Sequence, residues 1–290
     1  MKQIVLDFWN FVKKPKDIQY SGNEKAYKWK VFFALFVLNI LITIVYLGLS
    51  SLISYFYPLE HKLENIDFGP ILTFLLLVIL IPLIEEIVFR LGLRREGIVK
   101  SLFTEEKWHR YFSIFTYLSV ITFALMHGTN YLFDNYWLLL LVPLLTISQF
   151  FTGFINTYLR VRFNFFMGFA FHAFWNFTAI FLTSSAFVLS PKETVITHKN
   201  YELNIEEKNF LSHSSGEMLF TINNDTIYQL ESKGFKLKDI LESIDSIKMD
   251  FIPISDYVDI NLKTNKGILK DSLLMILENE GYIEKKTQTN

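Results

Sequence analysis

Pro82-Leu83-Ile84-Glu85-Glu86-Ile87-Val88-Phe89-Arg90 sets three charged side chains directly after a run, Ile71 to Ile84, built almost wholly of Leu, Ile, Val, Phe and Pro. A run of that composition reads as a membrane span, where each ionisable side chain costs roughly 2.5–3.5 kcal/mol to insert. Two adjacent carboxylates therefore need a reason to be there. On a helix Glu86 and Arg90 are four apart and share a face, so an ion pair offsets part of the cost of burying both. Helix geometry turns Glu85 about 100° away from Glu86 and leaves it without that partner. The carboxylate with no assigned counter-charge is the better candidate for proton transfer. The plainer alternative is a charge cluster that snorkels to the membrane edge.

Working outward, the averages of 51% hydrophobic residues and a net charge of -1 combine two unlike regions. Of the 30 Phe, 26 lie in residues 1–190; residues 191–290 carry 12 basic against 17 acidic side chains. The first region has the composition of a polytopic helical membrane protein and the second that of an ordinary soluble domain. With 0 Cys, disulfides, thiolate nucleophiles and Cys-based metal sites are excluded. Met1 to Lys16 carries Lys2, Lys13, Lys14 and Lys16 around a short apolar piece without a small-residue cleavage site, so the first span is expected to direct insertion.

Residues 1–30 read as a cytoplasmic or interfacial leader, in which Ile4 to Val12 forms a short amphipathic helix or stays loosely ordered. The membrane domain covers 31–189 in five spans. Span one is Val31 to about Ile53, and Glu60, Glu64 and Asp67 fill an acidic loop after it. Span two opens at Pro70 and runs to the Arg90–Arg95 region. Span three starts between Tyr111 and Phe115 and passes His127. Span four is Tyr136 to Tyr158 and span five Phe165 to about Leu189. Basic residues are abundant before span one, after span two and, as Arg160 and Arg162, after span four. By the positive-inside rule the N-terminus is cytoplasmic in a cell (inner) membrane and, with five spans, the tail lies outside. A re-entrant run would return the tail to the cytoplasm.

Residues 190–216 read as a linker and 217–290 as a small α+β domain. Met218–Ile222, Ile227–Leu230, Phe251–Ile254 and Tyr257–Leu262 suit strands, whereas Leu237–Ile247 and Ile268–Leu277 carry helical spacing, the latter ended by Gly281. The expected order is β-α-β-β-α. The fold class is thus an all-α polytopic membrane helix bundle of about five spans, followed by a small soluble α+β domain.

Two further motifs fall on other spans. Phe123-Ala124-Leu125-Met126-His127-Gly128 places Phe123 and His127 on one face, with Gly128 allowing close helix approach. In His172-Ala173-Phe174-Trp175-Asn176, the His172 and Asn176 side chains stack on one face. Each alone is consistent with a structural hydrogen bond. A polar stripe on an aromatic helix must face protein or water, however, so the three motifs can converge. One Glu and two His can activate a water, and an Asn amide can hydrogen-bond an oxyanion.

Glu85-Glu86-Ile87-Val88-Phe89-Arg90, Phe123 to His127 and His172 to Asn176 together resemble the EExxxR, FxxxH and HxxxN pattern of the CAAX prenyl protease and bacteriocin-processing family, also called type II CAAX proteases or the ABI family. The resemblance covers roughly residues 70–180. It implies a glutamate-dependent intramembrane endopeptidase: Glu85 as general base with His127 activating water, His172 and Asn176 stabilising the oxyanion, and Glu86 and Arg90 holding the helix. No cofactor is expected, since no HExxH appears and the water-activating scheme needs no metal, although Glu, His and His would suit Zn if the set bound a metal. Expected partners are the lipid bilayer and a peptide or protein substrate, with no nucleic acid. The family name points to prenylated substrates, but nothing in this sequence selects a prenyl group. Leu237 to Ile244 and Leu273 to Tyr282 resemble the helices of the secretin and TonB short N-terminal domain, which implies a protein-contacting module outside the cytoplasm. The alternative function is non-catalytic binding or peptide resistance on the same fold. Catalysis requires Glu85 and His127 within about 10 Å of each other, so that the base reaches its proton directly or through one water.

Overall fold

The computed structural model describes residues 1–22, 25–57, 60–61, 70–132, 136–189, 192–208, 218–244, 251–255 and 257–285. The chain divides into two compact units, one of Met1–Ile66 with Leu75–Thr178 and one of Asp67–Phe74 with Ala179–Asn290.

The first unit is helical. Helix α1 (Lys2–Lys13) buries Ile4, Phe8 and Phe11, one stripe at helical spacing. Phe8 and Phe11 set their rings edge-on to Tyr158 with centroids 5.7 and 5.4 Å apart. Of the two expectations for Ile4 to Val12, the helix is the one that forms, and its apolar stripe packs into the bundle core. An amphipathic pattern shows that one face is apolar, not whether lipid or protein covers it. Helix α2 (Lys25–Phe56) is the first span, and its buried Asn39 accepts a hydrogen bond from Thr152 at 3.0 Å. Glu60 falls in a short strand β1 (Glu60–His61), while Glu64 and Asp67 lie outside the described residues.

The second span joins α3 (Pro70–Leu75), one π-helical turn (Leu76–Leu80) and α4 (Ile81–Arg90). Pro82 has no N–H to give the Val78 carbonyl, and the hydrogen-bond ladder widens just before it. A short α5 (Gly97–Leu102) leads to α6 (Glu105–His127), whose first turn is capped by Thr104 accepting from the Lys107 N–H. This span starts well before Tyr111, because Glu105, Glu106 and Lys107 suit a first helical turn although they lower hydropathy. Strand β2 (Tyr131–Leu132) pairs antiparallel with β1, and the Tyr46 and Tyr131 hydroxyls meet at 2.8 Å.

The fourth apolar run is not one straight span. A 3-10 turn (Tyr136–Leu141) and α7 (Val142–Leu145) are followed, at a bend of 48°, by α8 (Ile147–Arg162). The Thr146 hydroxyl donates to the Val142 carbonyl at 2.8 Å, local bonding that hydropathy does not register. Among the described residues, four helices are thus long and apolar enough to cross a membrane, or five if the bent pair is one span. Span parity therefore does not fix the side on which the tail lies. Helix α8 is buried from Thr152 to Val161 and forms the centre of the unit. Helix α9 (Phe165–Leu189) completes the membrane part, with Asn164 accepting from the Met167 N–H at 2.9 Å.

The second unit carries an antiparallel sheet of order β3-β4-β8-β6-β5, formed by β3 (Glu193–His198), β4 (Tyr201–Lys208), β5 (Leu219–Asn223), β6 (Thr226–Lys236) and β8 (Tyr257–Thr264). Helix α10 (Leu237–Ile244) follows β6, and α11 (Lys270–Asn279) follows the short β9 (Ile268–Leu269), which also pairs with β6. A separate pair joins β7 (Phe251–Pro253) to β10 (Ile283–Lys285). Alternate residues Leu203, Ile205, Val258, Ile260 and Leu262 form one core with Leu237, Ile240, Leu241, Leu273 and Leu277 of the helices. Gly281 takes a φ of 68° where α11 ends, and buried Tyr282 donates to Thr194 at 3.1 Å.

The linker expected over 190–216 is corrected, since its residues 193–208 are a hairpin paired into the sheet through β4 and β8. Alternation of charged Glu202, Glu206 and Glu207 with Leu203 and Ile205 hid a half-buried strand behind a polar composition. The remainder of that stretch, 209–216, lies outside the described residues, as do 245–247 of the expected first tail helix. Four strands precede the first tail helix, so the β-α-β-β-α order is also corrected.

Candidate active site

Three elements supply the site: α4, the end of α6 and the first half of α9. The Glu85 and Glu86 side chains leave α4 in different directions, as helix geometry requires. Glu86 is sealed, with its side chain 1% exposed, and so is Arg90 at 0%. Glu85 is 23% exposed and His127 21%, so both are open to a substrate or water.

Glu86 Oε1 collects three donors: Arg90 Nη1 at 3.1 Å, Asn156 Nδ2 at 3.1 Å and His172 Nδ1 at 3.0 Å. A carboxylate only accepts, so His172 carries its proton on Nδ1 and turns Nε2 outward. That Nε2 lies 3.4 Å from Glu85 Oε2. His127 is oriented in the same manner. Its Nδ1 donates to the Phe123 carbonyl at 2.8 Å, which leaves Nε2 facing Glu85 Oε1 at 3.9 Å. Both imidazoles therefore present an Nε2 lone pair to one carboxylate. At 3.9 Å, Glu85 and His127 are too far apart for a direct hydrogen bond and close enough to hold one water between them.

Phe123 forms the floor of the cluster. Its ring lies under the Arg90 guanidinium, with Cζ 3.7 Å from the centroid, and its edge contacts reach His127 and His172 at centroid distances of 4.6 and 5.8 Å. One aromatic residue thus spaces the buried cation from both imidazoles. Asn176 bonds the neighbouring backbone rather than a carboxylate. Its amide donates to the Leu77 carbonyl at 2.9 Å, in the π turn of span two. One of its two N–H groups is thereby committed to holding α9 against that turn, and the other remains for a ligand.

Asn156, Arg160, Gly153 and Gly168 were not among the site residues expected from the sequence. Asn156 is a buried amide on α8, whose other polar residues (Ser148, Gln149, Thr152, Thr157) keep it from standing out as Asn176 does on its aromatic helix. Arg160 and Arg94 read as loop charges, yet Arg160 donates to the Arg90 and Leu91 carbonyls at 3.3 and 3.1 Å and Arg94 to the Phe163 carbonyl at 3.0 Å. They fix the C-terminal end of α4 to the α8–α9 corner. A Cβ on Gly153 would lie 3.3 Å from Arg90 Nη2 and 3.2 Å from the Phe123 ring, and one on Gly168 would lie 3.0 Å from the Asn156 carbonyl. Both glycines let α8 and α9 close on the buried pair.

Among the described residues, no group of three or more His, Asp or Glu is placed to hold a metal ion. Glu85, His127 and His172 nonetheless have the chemistry of an oxygen and nitrogen ligand set.

The apolar helices and the sealed ionic cluster define a multi-pass membrane protein with an intramembrane carboxylate–histidine site. Residues 67–178, which contain that cluster, match the family model described as Type II CAAX prenyl endopeptidase Rce1-like. No curated protein and no solved structure gives a significant match. The tail's resemblance to a secretin or TonB domain finds no support, because the matched family region ends at residue 178.

Proposed function

We propose that the protein is an intramembrane endopeptidase that hydrolyses a peptide bond with water activated between Glu85 and His127. The observation that carries this reading is the paired orientation of the site: one accessible carboxylate faces two Nε2 lone pairs, each fixed by a bond at the opposite nitrogen. Glu85 takes a proton from the water and His127 Nε2 accepts its second hydrogen bond, which aims the oxygen lone pair at a substrate carbonyl. As the tetrahedral centre forms, the Asn176 N–H that does not bond Leu77 serves its oxyanion, and Glu85 returns the proton to the leaving amine. His172 Nε2 accepts from the protonated Glu85 across their 3.4 Å contact and holds that proton in place until it passes to the leaving amine. Glu86, Arg90, Asn156 and Phe123 are positioning residues that keep the imidazoles in this register.

The matched family supports a peptide substrate reached from the membrane, and its name directs the first assay to prenylated CAAX peptides. The scheme needs no metal. Protein partners of the tail, and its placement outside the cytoplasm in an inner membrane, belong to the same proposal. Lys25, Lys28 and Lys30 before span one support an N-terminus on the inside.

The test is turnover of prenylated and unprenylated CAAX peptides by wild type, Glu85→Gln and His127→Ala in membranes, followed by mass spectrometry. Each variant is expected to lose at least about 100-fold, the usual contribution of a general base, with melting temperature unchanged. Turnover by Glu85→Gln equal to wild type would point instead to a binding protein. Preincubation with a strong chelator is expected to leave turnover intact, and loss restored by Zn would overturn the metal-free scheme.

A further inference from the structure

We propose that the cavity between α1, residues 14–18 and the C-terminal end of α8 takes the phosphate group of an anionic phospholipid. Its volume is about 400 Å³, within the roughly 300–1,000 Å³ of small-molecule sites. Lys13, Lys14, Lys16 and Arg162 line it against a single carboxylate, Asp7, and the buried Tyr158 forms part of its wall. It shares no residue with the Glu85 cluster.

Basic side chains at helix ends commonly serve nearby carbonyl groups; Arg162 does so, donating through Nη1 to the Ile18 carbonyl at 3.2 Å, while the carbonyl groups at the end of α1 have other donors. The Asn10 carbonyl accepts from the Lys14 N–H, Val12 and Lys13 from the Tyr117 hydroxyl, Pro15 from Ser113, and Arg162 from the Tyr20 N–H. Nearby carboxylates are taken as well. Asp7 accepts from Gln3 at 3.0 Å, and Asp17 from the Trp108 indole at 2.7 Å and the Arg95 N–H at 3.2 Å. Lys14 and Lys16 thus line the cavity with no carboxylate bonded to them among the described residues, while the Lys13 ammonium lies 5.9 Å from the Trp9 ring centroid.

Position selects the source of the phosphate. The cavity lies where α8 ends at Arg162 and α9 begins at Phe165, beside the start of α2 at Lys25. On α1, Leu6 and Trp9 stay exposed, an apolar and aromatic face suited to the lipid interface. Lipid phosphates are concentrated at that level, and lysines bind them as point charges.

The test uses the full chain purified in a neutral detergent. Phosphatidylglycerol, phosphatidylcholine and inorganic phosphate are each titrated while melting temperature and native mass spectra are followed. Phosphatidylglycerol is expected to bind in preference to phosphatidylcholine and to raise the melting temperature. Combined Lys13→Gln, Lys14→Gln and Lys16→Gln is expected to weaken it on the order of 100-fold, while the same three positions changed to Arg retain it. Equal binding of the two lipids, or unchanged phosphatidylglycerol binding by the Gln variant, overturns the proposal. Full competition by millimolar inorganic phosphate would assign the cavity to a free anion and overturn the lipid reading.

Discussion

Replacing Glu86 by Gln separates the two adjacent carboxylates most sharply. Arg90 is wholly buried, and the only hydrogen-bonded partner of its guanidinium among the described residues is Glu86 Oε1; Nε and Nη2 have none. Glu86→Gln keeps an acceptor for His172 and Asn156 but removes the charge that neutralises Arg90. Leaving one member of a buried pair uncompensated costs about 3–5 kcal/mol. For a unit of this size that corresponds to a melting shift of roughly 6–20 °C downward. Arg90→Gln should cost less, because Glu86 keeps donors from His172 and Asn156. The double variant leaves neither charge alone, so its loss should fall below the sum of the singles. The measurement is the soluble folded fraction after a temperature series in detergent, for wild type, both singles and the double. A Glu86→Gln midpoint within about 2 °C of wild type, or additive losses, would refute the account of Glu86 as the partner that makes Arg90 tolerable. The contrast is Glu85→Gln, whose partially open side chain should leave the midpoint in place.

Other substitutions probe the surroundings of the pair. Asn156→Ala removes one of the three donors to Glu86 and should cost about 1.5–3 kcal/mol, seen as a melting shift of several degrees; a change under 1 °C would mean that two donors suffice. Gly153→Val pushes branched carbons toward Arg90, Phe123 and Val120 and should cost about 1–3 kcal/mol by overpacking, measured in the same melt. An unchanged midpoint there would show that α8 can shift away from α4.

Much of the membrane part was legible because its physics is local. The Ile71–Ile84 run identifies a span from composition, and the four-residue spacing of Glu86 and Arg90 fixes a common face. The Arg90 pair and the separate direction of Glu85 follow from 100° per residue. Helix ends and breaks were harder. The start of α6 at Glu105 and the bend before Ile147 depend on capping and side-chain hydrogen bonds that a hydropathy average smooths away. In the tail, charged residues on the open face of β3 and β4 concealed the hairpin.

The sequence by itself determined the membrane character, the carboxylate and histidine inventory and the absence of thiol chemistry, since these depend on composition and on spacing within single helices. Only the tertiary structure decided which atoms meet. Asn156 reaches Glu86 from a helix 70 residues away, the two imidazoles turn their Nε2 atoms toward Glu85, and Asn176 closes on the Leu77 carbonyl. Such contacts arise from how helices rotate and pack against one another, which no periodicity within one segment encodes.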